Sequence, residues 1–178
     1  NKIMKDHVTI DIYTDGASKG NSGNGGFGYV IQMGGYVYKY AQGELNTTNN
    51  RMELSAVVAA FNVIKSIEID NKLQYEIRLY SDSKYVTEAI NKNWLFNWVR
   101  RGFLNVKNTD LWSQLYLLIS PLMLQSNVNV RFEWVKGHAG NYYNEIVDKL
   151  ASQACGKQGI TLNYYYQIGK EDTNHDKR

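Results

Sequence analysis

The chain has 178 residues, 43% of them hydrophobic and 21% charged, which is the composition of one globular domain. Its net charge of +3 is too small to indicate nucleic-acid binding by itself. Without a bilayer-length apolar run or a signal-peptide core, we expect a cytoplasmic protein that binds no membrane. The single cysteine excludes an internal disulfide and a cysteine-based zinc site.

Periodicity in the sequence predicts strands and helices in a definite order. Alternating residues predict a strand over 8–14, followed by strands at 25–33 and 36–45. An apolar stripe predicts a helix over 47–67, with Thr47 or Thr48 as its N-cap. The later elements are a strand at 75–83, helices at 83–91, 93–103 and 109–125, a strand at 128–136 and a helix at 141–155. This order predicts an α/β fold with a mixed sheet covered by helices, and Pro121 is expected to kink or end its helix.

Four carboxylates lie near the ends of these elements. Asp15 and Asp82 follow strands, Glu53 lies near the start of the first long helix, and Asp148 lies on the last helix. Each has an alternative interpretation, as a turn former, a helix cap, a first-turn acid or the partner of a lysine. Together, carboxylates at one sheet edge require protons or a cation, and an all-oxygen set suits Mg²⁺ or Mn²⁺.

Two further segments have an unusual composition. Residues 13–29 contain six glycines, more than a hairpin needs. We expect about half of them to serve turns and packing, and half to let the backbone approach a ligand closely. Residues 92–103 interleave tryptophans with Lys92, Arg100 and Arg101, a pattern suited to sugars, bases and phosphates. We expect Trp98 and Trp112 to be packing residues.

Six segments, in this order, resemble the ribonuclease H family in its bacterial type 1 (ribonuclease HI) branch: YTDGASKGN, TTNNRMEL, YSDSKYV, NWLFNWVRRGF, DLW and WVKGHAGNYYNEIVDKLA. The resemblance covers about residues 8–156. It implies a ribonuclease H-like fold, with a five-stranded mixed sheet and flanking helices. We expect a catalytic domain at 1–159 and a polar, tyrosine-rich, mobile tail at 160–178.

The resemblance also implies a function and a set of site residues. The expected activity is endonucleolytic hydrolysis of the RNA strand of RNA/DNA hybrids by two Mg²⁺ ions, with Mn²⁺ as a substitute, leaving 5′-phosphate and 3′-hydroxyl ends. The family pattern makes Asp15, Glu53, Asp82 and Asp148 the metal ligands and His138 a mobile catalytic group. Positions for RNA 2′-hydroxyl contacts are Asn21, Asn49 and Asn50. Positions for DNA-strand contacts are Thr48, Tyr85, Trp94, Arg100, Arg101 and Asn108. We expect a monomer whose partner is the hybrid duplex.

Departures from the family pattern leave other hypotheses open. The loop after Arg101 is shorter and less basic than in familiar bacterial members, which implies weaker hybrid affinity, and NYYNE replaces the common HPEN. The alternatives are a binding module without catalysis, a nuclease or transposase acting on DNA, and a polymerase-attached domain of a longer protein. Four clustered acids argue against the first, and the asparagines and basic segment argue against the second. We expect a standalone chain without an amino-terminal hybrid-binding module.

Overall fold

The computed structural model describes residues 5–20, 22–137 and 140–157 and the backbone of 161–167. The strands are β1 (His7–Ser18), β2 (Gly23–Met33), β3 (Tyr36–Thr47), β4 (Gln74–Ser81), β5 (Val128–Trp134) and β6 (Thr161–Gln167). The helices are α1 (Asn49–Lys65), α2 (Lys84–Asn91), α3 (Trp94–Arg100), α4 (Thr109–Met123) and α5 (Tyr142–Ala154). The predicted elements are therefore confirmed, with small differences at their ends.

The strands form one mixed sheet in the order β5-β4-β1-β2-β3-β6. The first three strands pair as an antiparallel meander, while β4 is parallel to β1 and β5 is parallel to β4. The parallel pairing of β1 and β4 ends at Tyr13 and Tyr80, so the chain leaves both strands at the same edge of the sheet. This confirms the adjacency on which the predicted carboxylate site depends.

The sixth strand, β6, lies within the residues 160–178 that we expected to form a tail. It pairs antiparallel with β3, from Tyr36 opposite Gln167 to Gln42 opposite Thr161. The segment contains three tyrosines and one threonine, residue types that favour strands, but its polar character and short length gave no sign of a partner. It covers the edge of β3, which would otherwise present unpaired backbone groups. Residues 158–160 and 168–178 lie outside the described part of the chain.

Strand alternation divides the core between the two faces of the sheet. On one face, Ile10 and Ile12 pack with residues of α1 and α4, including Phe61 and Trp112. On the other face, Tyr13 packs with residues of β2, β3 and α5. Helix α5, which carries Asp148, therefore lies on the opposite side of the sheet from α1, which carries Glu53.

Close contacts between the sheet and the helices account for most of the glycine-rich stretch. A Cβ atom on Gly16 would lie 2.3 Å from the backbone nitrogen of Glu53, and one on Gly26 would lie 2.4 Å from the carbonyl oxygen of Ala151. The other glycines whose Cβ would meet protein atoms are Gly23, Gly25 and Gly28. Gly20 alone of the six has open space at that position. The expected even division is therefore wrong, because most of these glycines let α1 and α5 approach the sheet.

Helix ends agree with the sequence except at Pro121. Thr48 is the N-cap of α1, and its hydroxyl accepts a hydrogen bond from the Arg51 backbone N–H at 3.2 Å. Helix α4 continues through Pro121 to Met123, so of the two expected effects, a kink or an end, the proline does not cause the second. The carbonyl that loses its partner belongs to Leu117, which is 70% exposed, so water can bind there. No helix in the described ranges has the length and apolar character of a membrane span.

Candidate active site

Three of the predicted carboxylates meet at the edge where β1 and β4 diverge. Asp15 and Asp82 each lie two residues beyond the last paired residues, and β1 itself continues past Asp15 to Ser18. Glu53 reaches the same place from the first turns of α1. Each of the three offers a carboxylate oxygen within 4.8 Å of the others. Asp15 and Glu53 are buried, whereas Asp82 is exposed.

Asp148 lies beside this cluster on the other face of the sheet. It lines the same pocket as Asp15 and Asp82, together with Thr14, Lys136, Gly137 and Asn144. Its side chain interacts directly with Asp15. Within the described residues, it does not join the group of three oxygens at the same close spacing. Asp15 therefore faces Glu53 and Asp82 on one side and Asp148 on the other.

The crowding of these acids changes how they bind protons. The pKa of Asp15 is raised to about 8, mainly by burial. The charge of Asp82, and the hydrogen bond and charge of Asp148, raise it further. A hydrogen bond from the Gly16 N–H at 3.0 Å opposes this rise. Burial, followed by the charges of Asp15 and Asp82, raises the pKa of Glu53 well above its usual value. The cation-free cluster therefore retains protons at neutral pH.

The donor set fits a hard divalent cation. The Oε2 atom of Glu53 is buried and has no hydrogen-bond partner among the residues described. A buried carboxylate oxygen without a partner is unfavourable, and a cation shared with two neighbouring carboxylates would satisfy it. An all-oxygen set of this kind suits Mg²⁺ or Mn²⁺ and lacks the sulfur ligands typical of structural zinc sites. The residues present therefore support divalent metal binding.

The segment after β5 is anchored on Asp82. The Trp134 indole N–H donates to the backbone carbonyl of Asp82 at 3.0 Å. A Cβ atom on Gly137 would lie 3.1 Å from the Asp82 Oδ2 atom, so the glycine lets this segment pass directly over the carboxylate. His138 is the next residue in the chain, but it lies outside the described ranges. Its predicted catalytic role stays a prediction.

The predicted RNA contacts lie at the amino end of α1. Asn49 and Asn50 are the first two residues of the helix, and both are exposed. They lie four and three residues before Glu53 on the same helix, which is about one helical turn. Asn21, the third predicted contact, lies outside the described residues. None of these three roles is tested by the geometry alone.

The predicted DNA contacts fall into two groups. The first group lies on and next to α3. Trp94 is 40% exposed, and the Nζ atom of Lys92, just before the helix, lies 5.2 Å from the centre of the Trp94 ring. Arg100 and Arg101, at the end of the helix, are exposed. Trp98 instead packs edge-on against the buried Trp112, with ring centres 5.3 Å apart. The expectation that Trp98 and Trp112 are packing residues is confirmed.

The second group is joined by hydrogen bonds. The Asn108 side-chain amide donates to the Tyr85 hydroxyl at 3.0 Å, and the Asn108 Oδ1 atom accepts from Arg51 at 3.1 Å. The Arg51 backbone N–H bonds to Thr48. Sequence reasoning named Thr48, Tyr85 and Asn108 but missed Arg51, because an arginine in a first helical turn looks like any surface arginine.

Comparison with known proteins agrees with this fold and site. Residues 7–156 match the RNase H family. The chain is 45% identical over 151 residues to ribonuclease H of Syntrophomonas wolfei subsp. wolfei, a match that covers 84% of this chain and 98% of the relative. It is 42% identical over 154 residues to ribonuclease H of Erythrobacter litoralis, covering 84% and 97%. The chain therefore belongs to the RNase H family, in its type 1 branch, and is a ribonuclease H, a hydrolase.

Solved structures show the same fold. LC9-RNase H1, a type 1 RNase H with the type 2 active-site motif, superposes with a TM-score of 0.68 over 95% of this chain and 81% of that chain, at 24% identity. The amino-terminal RNase H domain of rv2228c from Mycobacterium tuberculosis superposes with a TM-score of 0.58 at 25% identity, over 83% and 93%. The mixed sheet and its flanking helices are therefore those of the ribonuclease H fold.

Proposed function

We propose that this ribonuclease H cuts the RNA strand of RNA/DNA hybrids internally, with two Mg²⁺ ions or with Mn²⁺ in their place, leaving 5′-phosphate and 3′-hydroxyl ends. The observation that carries the proposal is the cluster of Asp15, Glu53 and Asp82 with its partnerless Glu53 oxygen. Two divalent ions held by carboxylates supply a water activated for in-line attack and stabilise the leaving oxygen.

Each of the four acids would contribute differently to binding the metal ions. Asp15 interacts with the other acids of the set, so its carboxylate would hold the metal ions at the centre of the site. Glu53 supplies a fully buried oxygen, and Asp82 presents its exposed carboxylate toward the substrate. Asp148 completes the set from α5. His138, the neighbour of Gly137 in the chain, is suited to move a proton near neutral pH.

The proposed substrate contacts explain selection of the hybrid. RNA differs from DNA in its 2′-hydroxyl, which both donates and accepts hydrogen bonds. Exposed amides at Asn49 and Asn50, with Asn21, match that chemistry on the RNA strand. On the DNA strand, Trp94, Arg100 and Arg101 provide an aromatic and basic surface, while Thr48, Tyr85 and Asn108 provide neutral donors for a phosphate.

A cleavage assay on three matched duplexes tests the proposal. We expect labelled RNA/DNA to be cut in Mg²⁺ and Mn²⁺ but not in EDTA, with RNA/RNA and DNA/DNA left intact. The 5′ ends of the products should resist kinase labelling until they are treated with phosphatase. Binding of the hybrid without cleavage would indicate a binding module. Cleavage of DNA/DNA at a comparable rate would indicate a nuclease with a different substrate.

A further inference from the structure

Arg51 connects two elements that carry predicted DNA-strand contacts. Its backbone N–H donates to the hydroxyl of Thr48, the N-cap of α1, at 3.2 Å. Its Nη1 atom donates to the Oδ1 atom of Asn108, at the start of α4, at 3.1 Å. One residue thus contacts both Thr48 and Asn108, which are far apart in sequence.

Asp110 holds the Arg51 side chain in place. The guanidinium binds the carboxylate through two hydrogen bonds, from Nη1 to Oδ1 at 3.1 Å and from Nη2 to Oδ2 at 2.8 Å. The hydrogen bond from Arg51 lowers the pKa of Asp110, so the carboxylate stays ionised. Two parallel hydrogen bonds fix the plane of the guanidinium and balance its charge. Arg51 is therefore better placed to orient Asn108 than to bind a phosphate itself.

The hydrogen bond from Arg51 determines which way the Asn108 amide faces. Because Oδ1 accepts from Arg51, the NH₂ group faces Tyr85 and donates to its hydroxyl at 3.0 Å. The same hydroxyl oxygen accepts from the Trp112 indole N–H at 3.0 Å. With two N–H groups directed at its oxygen, the Tyr85 hydroxyl retains its own hydrogen for donation. The Asn108 NH₂ group also retains a second hydrogen.

We infer that Arg51, held by Asp110, is a positioning residue that orients Asn108 and Tyr85 as neutral hydrogen-bond donors to one phosphate of the DNA strand. The inference rests on the proposed function, since it assumes that the hybrid is the ligand. Neutral donors of this kind position a nucleic-acid backbone without reading its sequence. Arg51 acts through Asn108 and Tyr85 and does not touch the phosphate.

The test measures binding of a fluorescent RNA/DNA hybrid by anisotropy in EDTA, where no cleavage occurs. Single uncharged methylphosphonates replace the DNA-strand phosphates one at a time, and then the RNA-strand phosphates. We expect the unsubstituted protein to lose about tenfold in affinity at one DNA-strand position, a typical loss for one or two hydrogen bonds. Arg51→Lys keeps the positive charge but not the planar fork. It should bind the unmodified hybrid about tenfold more weakly and no longer respond at that position.

Arg78→Lys is the matched control. Arg78 makes an equivalent two-bond pair with Asp11, at 2.7 and 2.9 Å, on the strands β1 and β4. This variant should lose thermal stability and keep the affinity and phosphate response of the unsubstituted protein. Asp110→Asn is the second variant, because it frees the guanidinium without removing it. We expect a smaller loss of affinity and a weaker response at the same phosphate.

Three results would overturn the inference: a phosphate response retained in Arg51→Lys, an equal loss of affinity in Arg78→Lys, or a response confined to the RNA strand. Failure of the proposed function looks different. The unsubstituted protein would then leave the hybrid uncut in Mg²⁺ even where these binding results are obtained.

Discussion

Two sets of charged residues lie on the same pair of strands and have opposite characters. Asp11 on β1 is the register partner of Arg78 on β4, and the two side chains form a pair with hydrogen bonds of 2.7 and 2.9 Å. Four residues further along the chain from each of them, beyond the end of the pairing, Asp15 and Asp82 bring like charges together, and Glu53 of α1 adds a third. In the first set, opposite charges neutralise each other, whereas the like charges of the second set require protons or a cation.

The difference lies in the signs of the charges and in burial. Parallel pairing places Asp11 directly opposite Arg78, and it ends two residues before Asp15 and Asp82, where the two strands diverge. An acid opposite an arginine stabilises the folded chain. Acids gathered at a closed edge lower its stability until a metal ion binds. One sheet thus carries a structural pair and a functional cluster a few residues apart.

The largest expected effect comes from the same substitution made in each set. Asp82→Asn should reduce cleavage of the hybrid by about 100-fold or more, because even outer-shell partners of metal ligands contribute about 10- to 100-fold. Hybrid binding in EDTA should persist. Asp11→Asn, the control, should cut at a rate close to that of the unsubstituted protein at 25 °C. Steady-state rates on one labelled hybrid provide the measurement. Cleavage by Asp82→Asn within a few-fold of normal would contradict the metal-ligand assignment.

A second effect concerns stability without metal, and here the two sets should respond in opposite directions. Asp15→Asn should raise the melting temperature in EDTA at pH 8, by about 2–4 °C for each kcal/mol of repulsion and desolvation removed. Asp11→Asn should lower it by a similar amount, since it weakens a charge-assisted pair worth about 1–2 kcal/mol. Differential scanning calorimetry of the three proteins measures both shifts. Lower melting temperatures in both variants would mean that Asp15 is already neutralised by the protein.

The pH dependence of the metal-free protein sharpens the same contrast. The folded-state pKa of Asp15, about 8, exceeds its ordinary value of 3.8, so the folded chain binds this proton more tightly than the unfolded chain does. The resulting stability is fully present below about pH 4 and is lost as the pH rises to about 8. Melting temperatures in EDTA should therefore fall over this range in the unsubstituted protein and fall less in Asp15→Asn. A melting curve with the same pH dependence in both proteins would contradict the assignment.

The smallest effect is expected from two exposed arginines, which belong to neither set. Arg100→Ala with Arg101→Ala should raise KM for the hybrid and reduce the salt dependence of binding by about one unit of slope for each lost phosphate contact. The melting temperature should hardly change, because neither side chain is buried. Binding titrations at several salt concentrations provide the slope. An unchanged slope would mean that these arginines form only a solvated surface.

The sequence predicted the positions of the acids better than the tertiary contacts that keep them in place. Asp15 and Asp82 were predictable because strand alternation and the parallel-edge rule place them together. Seating Glu53 against the sheet depends on Gly16, whose close contact with α1 is a tertiary feature that local patterns do not encode. Arg51 and Asp110 were missed because their partners are distant in the chain, and β6 was missed because a polar strand shows no partner in its own sequence.

The glycines beneath α1 and α5 also bear on which substitutions this enzyme tolerates. Ala151, whose carbonyl oxygen faces Gly26, lies one turn after Asp148 on α5, and Glu53 itself faces Gly16. Adding a single methyl group at either glycine would push a helix away from the sheet together with its acid. A saturation-mutagenesis screen for activity should thus find inactive variants at positions that touch neither metal nor nucleic acid. On a map of mutational tolerance, Gly16 and Gly26 would therefore appear almost as restricted as the acids themselves.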